Sequence, residues 1–451
     1  MKKLSLVLAG LFLAPTVHAI DLLQTYHDAL SSDPVYASAR ALRDAGLESL
    51  PQGRAGLLPT ITGVGNSQDN RYTTAYRADA SVLAAEGIAP VSSQYGNNWG
   101  YTITLTQPLF NWQSFVVYRE AGYKVAQAEA TFGQAAQDLV VRVAQAYFDV
   151  LASQDSLAFI RAQKAAISEQ LAQAKRNFEV GTSTIVDTHE AQSRYDLSVS
   201  QEIAAESDLE IKKQTLRQIV GGAPRELAPL KTGAVLGSPQ PASMEKWVDA
   251  AETTNLLVQS QAAGVEVANN EIERFRAGHF PTLNLVGTDG RATTGIGVIG
   301  VPGAPSTDVY YKQIGVQLNI PIFSGGLVNS QVKQAVAMRE KARQDLENAR
   351  RTAALSARQS YLGVANGIAQ VKALEQALIS SQSSLDSNKL GYEVGVRINI
   401  DVLNAQQQLY STKRDLSKAI YDTIMAGLKL RNAAGIVGDD DVQQINAMLE
   451  R

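Results

Sequence analysis

Few side chains in this sequence could carry covalent or metal chemistry. It has no cysteine in 451 residues, so no disulfide framework, thiolate zinc site, iron–sulfur cluster or cysteine nucleophile is available. His27, His189 and His279 share no metal-ligand spacing, and surface or packing roles suit them better. Asp439-Asp440-Asp441 has the carboxylates of a cation cluster but reads as a solvated turn. Gly295-Ile-Gly-Val-Ile-Gly300 matches the dinucleotide pattern letter for letter. That chemistry needs a helix to open there and aim its N-terminus at the phosphates. Val-Pro-Gly-Ala-Pro-Ser follows instead and cannot start a helix promptly, so the segment reads as a loop between strands. No Gly-x-Ser-x-Gly, His-Glu-x-x-His or phosphate-binding loop occurs. No enzyme and no cofactor is expected. With 41 Lys and Arg against 44 Asp and Glu, there is no basic excess for nucleic acid either.

The information lies instead in the elements. Lys2 and Lys3 precede an apolar run from Leu4 to Leu13, and Val17-His18-Ala19 ends on a small residue. Residues 1–19 read as a cleaved export signal, since ten apolar residues are too few to cross ~30 Å of hydrocarbon. Prolines are absent between 109 and 223 and between 322 and 451. An interior proline costs a helix about 3 kcal/mol, so these two gaps are where long helices can run. In the first gap, steps of four and three from Leu139 through Val143, Ala146, Val150, Ser153, Leu157, Ile160, Lys164, Ile167, Leu171 and Ala174 to Phe178 trace a coiled-coil seam that is apolar except at Ser153 and Lys164. The corresponding seam from Ala353 to Tyr392 uses smaller residues and is interrupted by Ser360, Gly367, Ser381 and Asn388.

The two halves repeat each other. Gln107-Pro108-Leu109-Phe110 returns 213 residues later as Ile320-Pro321-Ile322-Phe323. Phe178-Glu-Val-Gly181 returns 214 residues later as Tyr392-Glu-Val-Gly395, and Leu216-Arg217 with Gly221 returns as Leu430-Arg431 with Gly435. Upstream, Pro59-Thr60 is answered by Pro281-Thr282. Ordered landmarks at a nearly constant offset mark a structural duplication. Repeat 1 spans 20–221, with strands near 58–66 and 99–107, a long helix over 112–180 and a return helix over 184–220. Repeat 2 spans 243–435, with strands near 281–288 and 311–320, a long helix over 326–393 and a return helix over 398–434. A linker, 222–242, joins them, and a tail, 436–451, follows. A helix over 112–180 would be about 100 Å long. Pro34 should start a helix and Pro51 should kink or end one.

The strands alternate. In Tyr101-Thr-Ile-Thr-Leu-Thr106 and in Ile314-Gly-Val-Gln-Leu-Asn-Ile320, apolar residues alternate with polar residues or glycine, and Tyr95, Trp99, Tyr310 and Tyr311 stand near the strand ends. A transmembrane barrel and a soluble sandwich share this period; the export signal favours the barrel. Four strands cannot close a barrel, and lipid tolerates no open edge, so copies must join. The alternatives are a soluble exported helical rod acting as scaffold or adhesin, and an exported enzyme with a divergent site.

Gly278-His279-Phe280-Pro281-Thr282-Leu283, Ile320-Pro-Ile-Phe-Ser-Gly-Gly326 and Tyr392-Glu-Val-Gly-Val-Arg-Ile-Asn-Ile-Asp401-Val-Leu-Asn404 resemble the TolC family of outer-membrane channel proteins, and the likeness covers nearly the whole mature chain. It implies a mixed α/β membrane protein and a homotrimer. Each chain would give four strands to a 12-stranded outer-membrane barrel that continues into a long periplasmic α-helical barrel. Residues 222–242 and the tail would form an equatorial belt. The implied function is a passive exit duct for efflux or type I protein secretion, working with a periplasmic adaptor and an inner-membrane transporter. The resemblance also implies a gate at the helix-tip turns of Gly181 and Gly395, carried by Asp187, Tyr392, Arg397 and Asp401. The family's second acidic position is Asn404 here, which halves the carboxylate charge of the implied rings. The threonine that the family has beside the first-repeat aspartate is Val186. Threefold symmetry would make Asp401 a ring of three carboxylates, Arg397 could fork onto a neighbouring acceptor, and Tyr392 could bond Asp187. As a competing reading, Asp187 and Asp401 sit in the first turn of a helix, where the dipole favours a carboxylate anyway.

Overall fold

The computed structural model describes residues 19–222, 226–231, 233, 236–295 and 305–450. Residues 1–18 of the export signal and Ile296–Gly300 of the dinucleotide-like stretch lie outside the described residues. The chain divides into two compact units, one built from 44–128 and 261–345, the other from the segments up to 43, 129–260 and 346 onward.

The first unit holds one antiparallel sheet, β1 (Thr60–Ala75), β2 (Val91–Phe110), β3 (Thr282–Thr294) and β4 (Thr307–Asn319), in the order β1-β2-β3-β4. Ile61 pairs with Leu105, Leu105 with Gly287, and Gly287 with Ile314. Because side chains alternate with period two, this register collects Ile61, Ile103, Leu105, Leu285, Ile314, Val316 and Leu318 on one face. Thr60, Thr62, Asn66, Thr102, Thr104, Thr288, Gln313 and Gln317 share the other. On the apolar face the guanidinium of Arg291 lies between the rings of Trp99 (4.6 Å) and Tyr310 (5.1 Å) and pairs with Asp308 at 2.7 Å. On the polar face the Tyr311 hydroxyl meets the Thr102 hydroxyl at 2.6 Å. A side chain on Gly290 would strike the Tyr311 ring at 2.5 Å, so glycine is needed there.

The first three strands run well past the predicted 58–66, 99–107 and 281–288. Residues 67–75 and 91–98 are mostly Ser, Gln, Asp, Asn and Thr with little alternation, so periodicity stops before the ladder does. The β1–β2 connection also contains α4 (Ala80–Ala85), which sequence patterning did not indicate. Helix α3 (Ser49–Ala55) has Pro51 in its first turn, where the missing N–H costs nothing, so the break falls before Pro51 rather than after it. Gly53 lets α3 approach α5 (Trp112–Glu179), since a Cβ there would lie 3.0 Å from the Ala121 methyl.

The second unit is helical. Asp21 caps α1 (Leu22–Ser32) by accepting from the Gln24 amide at 2.8 Å. Asp33 caps α2 (Pro34–Leu47) through the Val35 amide at 2.6 Å, and its buried carboxylate pairs with Arg142 at 2.6 Å. α5 and α6 (Ile185–Val220) form one antiparallel coil, and α9 (Leu327–Glu393) and α10 (Asn399–Ala433) form the other. The α5 seam is buried from Leu139 to Ala174 except at Lys164. α7 (Met244–Thr254) and α8 (Leu256–Arg276) are separated by Asn255, which caps α8. The N-terminus, the linker and the tail meet in short bridges, Ile20 with Leu227 and Leu230 with Leu449. Tyr147, fully buried, donates from its hydroxyl to the carbonyls of Ala228 (2.8 Å) and Ile20 (3.1 Å), fixing this junction to α5. Burial raises the Tyr147 phenol above its ordinary range.

The tail corrects one expectation. Asp439–Asp441 forms the first turn of α11 (Asp439–Asn446) rather than a loop turn, with Asp439 and Asp440 exposed as expected. Asp441 is buried, accepts from the Gly438 amide at 3.0 Å and pairs with Arg431. An Arg partner from α10 offsets the desolvation that would otherwise keep this carboxylate at the surface.

Candidate functional site

The residues singled out at the helix turns all lie in the helical unit. Both turns have the same backbone. Gly181 adopts φ +82° and Gly395 φ +78°, a left-handed conformation that costs any residue with a Cβ. The Thr182 amide donates to the Asn177 carbonyl at 2.8 Å, and its counterpart Val396 donates to Gly391 at 2.9 Å. These 6→1 bonds satisfy carbonyls left open where α5 and α9 stop.

The side chains then diverge. In the first repeat Thr184 and Asp187 form a capping box. The Asp187 carboxylate accepts from the Thr184 amide at 3.0 Å, and the Thr184 hydroxyl accepts from the Asp187 amide at 3.3 Å. In the second repeat the cap position is Ile398, which offers no side-chain acceptor. Asp401 is therefore not drawn into a box and lies 3.7 Å from Arg397. Both groups are partly solvated, so this pair is weak on its own. Gly391 makes room for the Arg397 stem, since a Cβ there would stand 2.7 Å from Arg397 Cγ.

The coils are tied together by amides. Tyr392 accepts at its hydroxyl from the Asn177 side chain at 3.1 Å and has no bond to Asp187 within the chain. Asn399, almost wholly buried, accepts from Gln170 at 2.6 Å and donates to the Asp187 carbonyl at 3.4 Å. Asn404 accepts from Arg194 at 3.0 Å, and the same guanidinium donates to Gln407 at 2.7 Å. Leu403 packs with Ile167, Leu171, Ala174 and Ala191, closing the interface between the coils. Asn399, Gln170, Arg194 and Gly391 were not among the predicted site residues. Gly391 meets Arg397 across its own turn, whereas Asn399, Gln170 and Arg194 find partners on other helices, and no periodicity announces a cross-helix pair.

Further along the first coil, Arg161 and Lys164 both reach Glu202, and Arg161 also meets Glu206 at 2.6 Å. The Lys164 hydrogen bond, with that of Arg161, holds the Glu202 carboxyl below the usual carboxylate range. Among the described residues no helix is long and apolar enough to cross a membrane, which leaves the sheet as the element with a lipid-compatible face.

The model of the family described as outer membrane efflux protein matches residues 25–222 and again residues 247–436. The chain belongs to the outer membrane efflux protein family. The two matches fall on the two repeats. Outer membrane protein TolC of Vibrio cholerae is 35% identical over 439 residues, covering 97% of this chain and 96% of that protein. TolC of Escherichia coli K12 is 32% identical, covering 100% and 90%. The alkaline protease secretion protein AprF of Pseudomonas aeruginosa is 32% identical, covering 99% and 92%. Among solved structures, a membrane protein from Pseudomonas aeruginosa superposes with a TM-score of 0.77 at 18% identity, covering 94% of this chain and 92% of that one. VceC of Vibrio cholerae gives 0.75 at 16% identity, covering 92% and 96%. Members of the efflux family are trimeric channels and not enzymes. This efflux protein is accordingly an outer-membrane channel component of the efflux and type I secretion class, with a periplasmic helical part. The soluble rod and the divergent enzyme fall with that assignment.

Proposed function

We propose that three copies of this chain form a passive duct through the outer membrane, gated at the Gly181 and Gly395 turns. The four-stranded sheet with two unpaired edges carries this reading: β1 and β4 each have one strand neighbour, and both are almost entirely exposed. An open edge costs several kcal/mol per unsatisfied group in hydrocarbon, and single-chain barrels begin at about eight strands. Three copies supply twelve. The Ile103–Val316 face would meet lipid, with Trp99, Tyr101 and Tyr310 at the interface, and the threonine and amide face would line the bore.

The duct has no energy source, so an inner-membrane transporter and a periplasmic adaptor must drive and open it. Val180, Val186, Val394, Val396 and Ile398 are exposed around the two turns, an apolar rim suited to an adaptor. Cargo follows from the transporter. AprF is named for alkaline protease secretion, and TtgC of Pseudomonas putida, 22% identical, for a probable efflux pump. In the trimer, three Asp401 carboxylates would ring the axis, with Arg397 in reach of each. The test is conductance in planar bilayers. The wild-type protein is expected to show small, infrequent currents, and Arg397→Ala larger ones. Unchanged currents in that variant would remove Arg397 from the gate; no conductance from any variant would remove the duct.

A further inference from the structure

The internal duplication does more than describe one chain, because it fixes how the next copy must pair. Within the sheet, Thr60 pairs with Thr106. Moving along the repeat, Thr60 becomes Thr282, as Pro59-Thr60 becomes Pro281-Thr282, and Thr106 becomes Asn319, as Pro108-x-Phe110 becomes Pro321-x-Phe323. Thr282 does pair with Asn319. The landmark offsets read from sequence therefore reproduce the register of the second hairpin from the first without slippage.

The same transformation acts on the central junction, where β2 of the first repeat meets β3 of the second. Trp99 pairs there with Thr293, Gly100 with Ala292, and Thr104 with Thr288. Their counterparts are Lys312 with Arg71, Gln313 with Asn70, and Gln317 with Asn66. These residues lie on β4 and β1, the two free edges, and β1 and β4 of one chain stand at opposite sides of its sheet. The partner that fits the β4 edge is thus the β1 edge of a second copy.

We infer that adjacent copies join β4 to β1 in this one register, with Gln313 opposite the neighbour's Asn70 and Gln317 opposite its Asn66. The inference rests on the shared-barrel reading above and adds its residue-level seam. Parity agrees: Ile314, Val316 and Leu318 stay on the face of Ile61 and Ile103, while the amides meet across the polar face. On the other face, Tyr310 and Lys312 come beside Arg71 and Thr73. Lys312 keeps Asp289 within its own chain at 3.2 Å and Arg71 keeps the Tyr95 ring at 4.8 Å, so neither cation depends on the other's strand.

A second observation points to the same partner. β2 continues to Phe110 because Leu283–Leu285 pairs alongside it, with a bulge between Pro108 and Phe110. The counterpart of this end in β4 stops at Asn319, and Ile322 and Phe323 are left 95% and 86% exposed. The inferred register lays the neighbour's Ile61 beside Phe323, as Leu283 lies beside Phe110, so the strand is expected to extend through residues 320–323 on assembly.

The absence of native cysteine makes the test direct. Full-length double variants are oxidised in outer membranes and run on non-reducing gels: Gln313→Cys with Asn70→Cys, and independently Gln317→Cys with Asn66→Cys. Gln313→Cys with Gln68→Cys, and with Tyr72→Cys, serve as out-of-register pairs. Directly opposed residues fall within disulfide reach, with Cα atoms about 4.5–5.5 Å apart, whereas diagonal ones are about 7–8 Å apart. The two in-register pairs are expected to give a covalent trimer and the other two mostly monomer. Dominant cross-linking at Gln68, which would set Lys312 against Asp69, or at Tyr72 would overturn the register and leave the shared barrel standing. No intermolecular cross-link at any pair in membrane-inserted protein would overturn both.

Discussion

At the scale of single residues, the duplicated turns show how one substitution redirects a carboxylate. Thr184 and Ile398 occupy equivalent cap positions, and only the threonine can hold its aspartate in a capping box. Asp187 is thereby committed to its own helix, while Asp401 remains available to Arg397. Thr184→Ala is expected to destabilise the first turn by about 1 kcal/mol with conductance little changed. Ile398→Thr should instead draw Asp401 into a box and raise conductance in the same bilayer assay; currents equal to wild type would refute the idea that a free Asp401 carboxylate matters. Tyr147→Phe removes the hydroxyl donor of the Ala228 carbonyl, while the Ile20 carbonyl keeps the Ala228 amide at 3.0 Å, and should cost about 1–3 kcal/mol, seen as a lower denaturant midpoint. The sequence told little about this network. Residue types at the turns were legible, but the Asn399–Gln170 and Arg194–Asn404 pairs join positions more than 200 residues apart, and only the folded coils bring them together.

At the scale of elements, two proline-free gaps and their apolar seams, nearly continuous in the first and interrupted in the second, contain the helices α5, α6, α9 and α10, because both signals measure what a long helix requires. The strands were legible only where one face is apolar. Beyond Ser67 both faces of β1 are polar but for Tyr72 and Ala75, and period-two patterning has little to report. Asp441 was misread for the opposite reason: its sequence neighbours are acidic, but its partner, Arg431, comes from another helix. The α5–α6 coil also carries a pH dependence of definite sign. Glu202 has a folded-state value below that of the unfolded chain, so its contribution is present above the ordinary carboxylate range and is lost as pH falls through the depressed value. Acidification below about pH 4 should loosen this coil. Hydrogen exchange over α6 would read the change, and Glu202→Gln should abolish the part of it due to this cluster.

At the scale of the whole molecule, the chain carries half-finished surfaces. Its sheet ends on both sides in unpaired strands, its helix turns expose a rim of valines and Ile398, and Ile322 and Phe323 stand in solvent. Each is costly in a lone chain: a closed ring of copies would cover the sheet edges and Phe323, and an adaptor the rim at the turns. The duplication explains why closure is possible: the second repeat presents to the next copy what the first presents to the second. The measurement that tests this most directly is the mass of the detergent-extracted protein by native mass spectrometry. A species of three chains that persists on dilution is expected; a species of one chain, stable and soluble without detergent, would contradict the shared barrel.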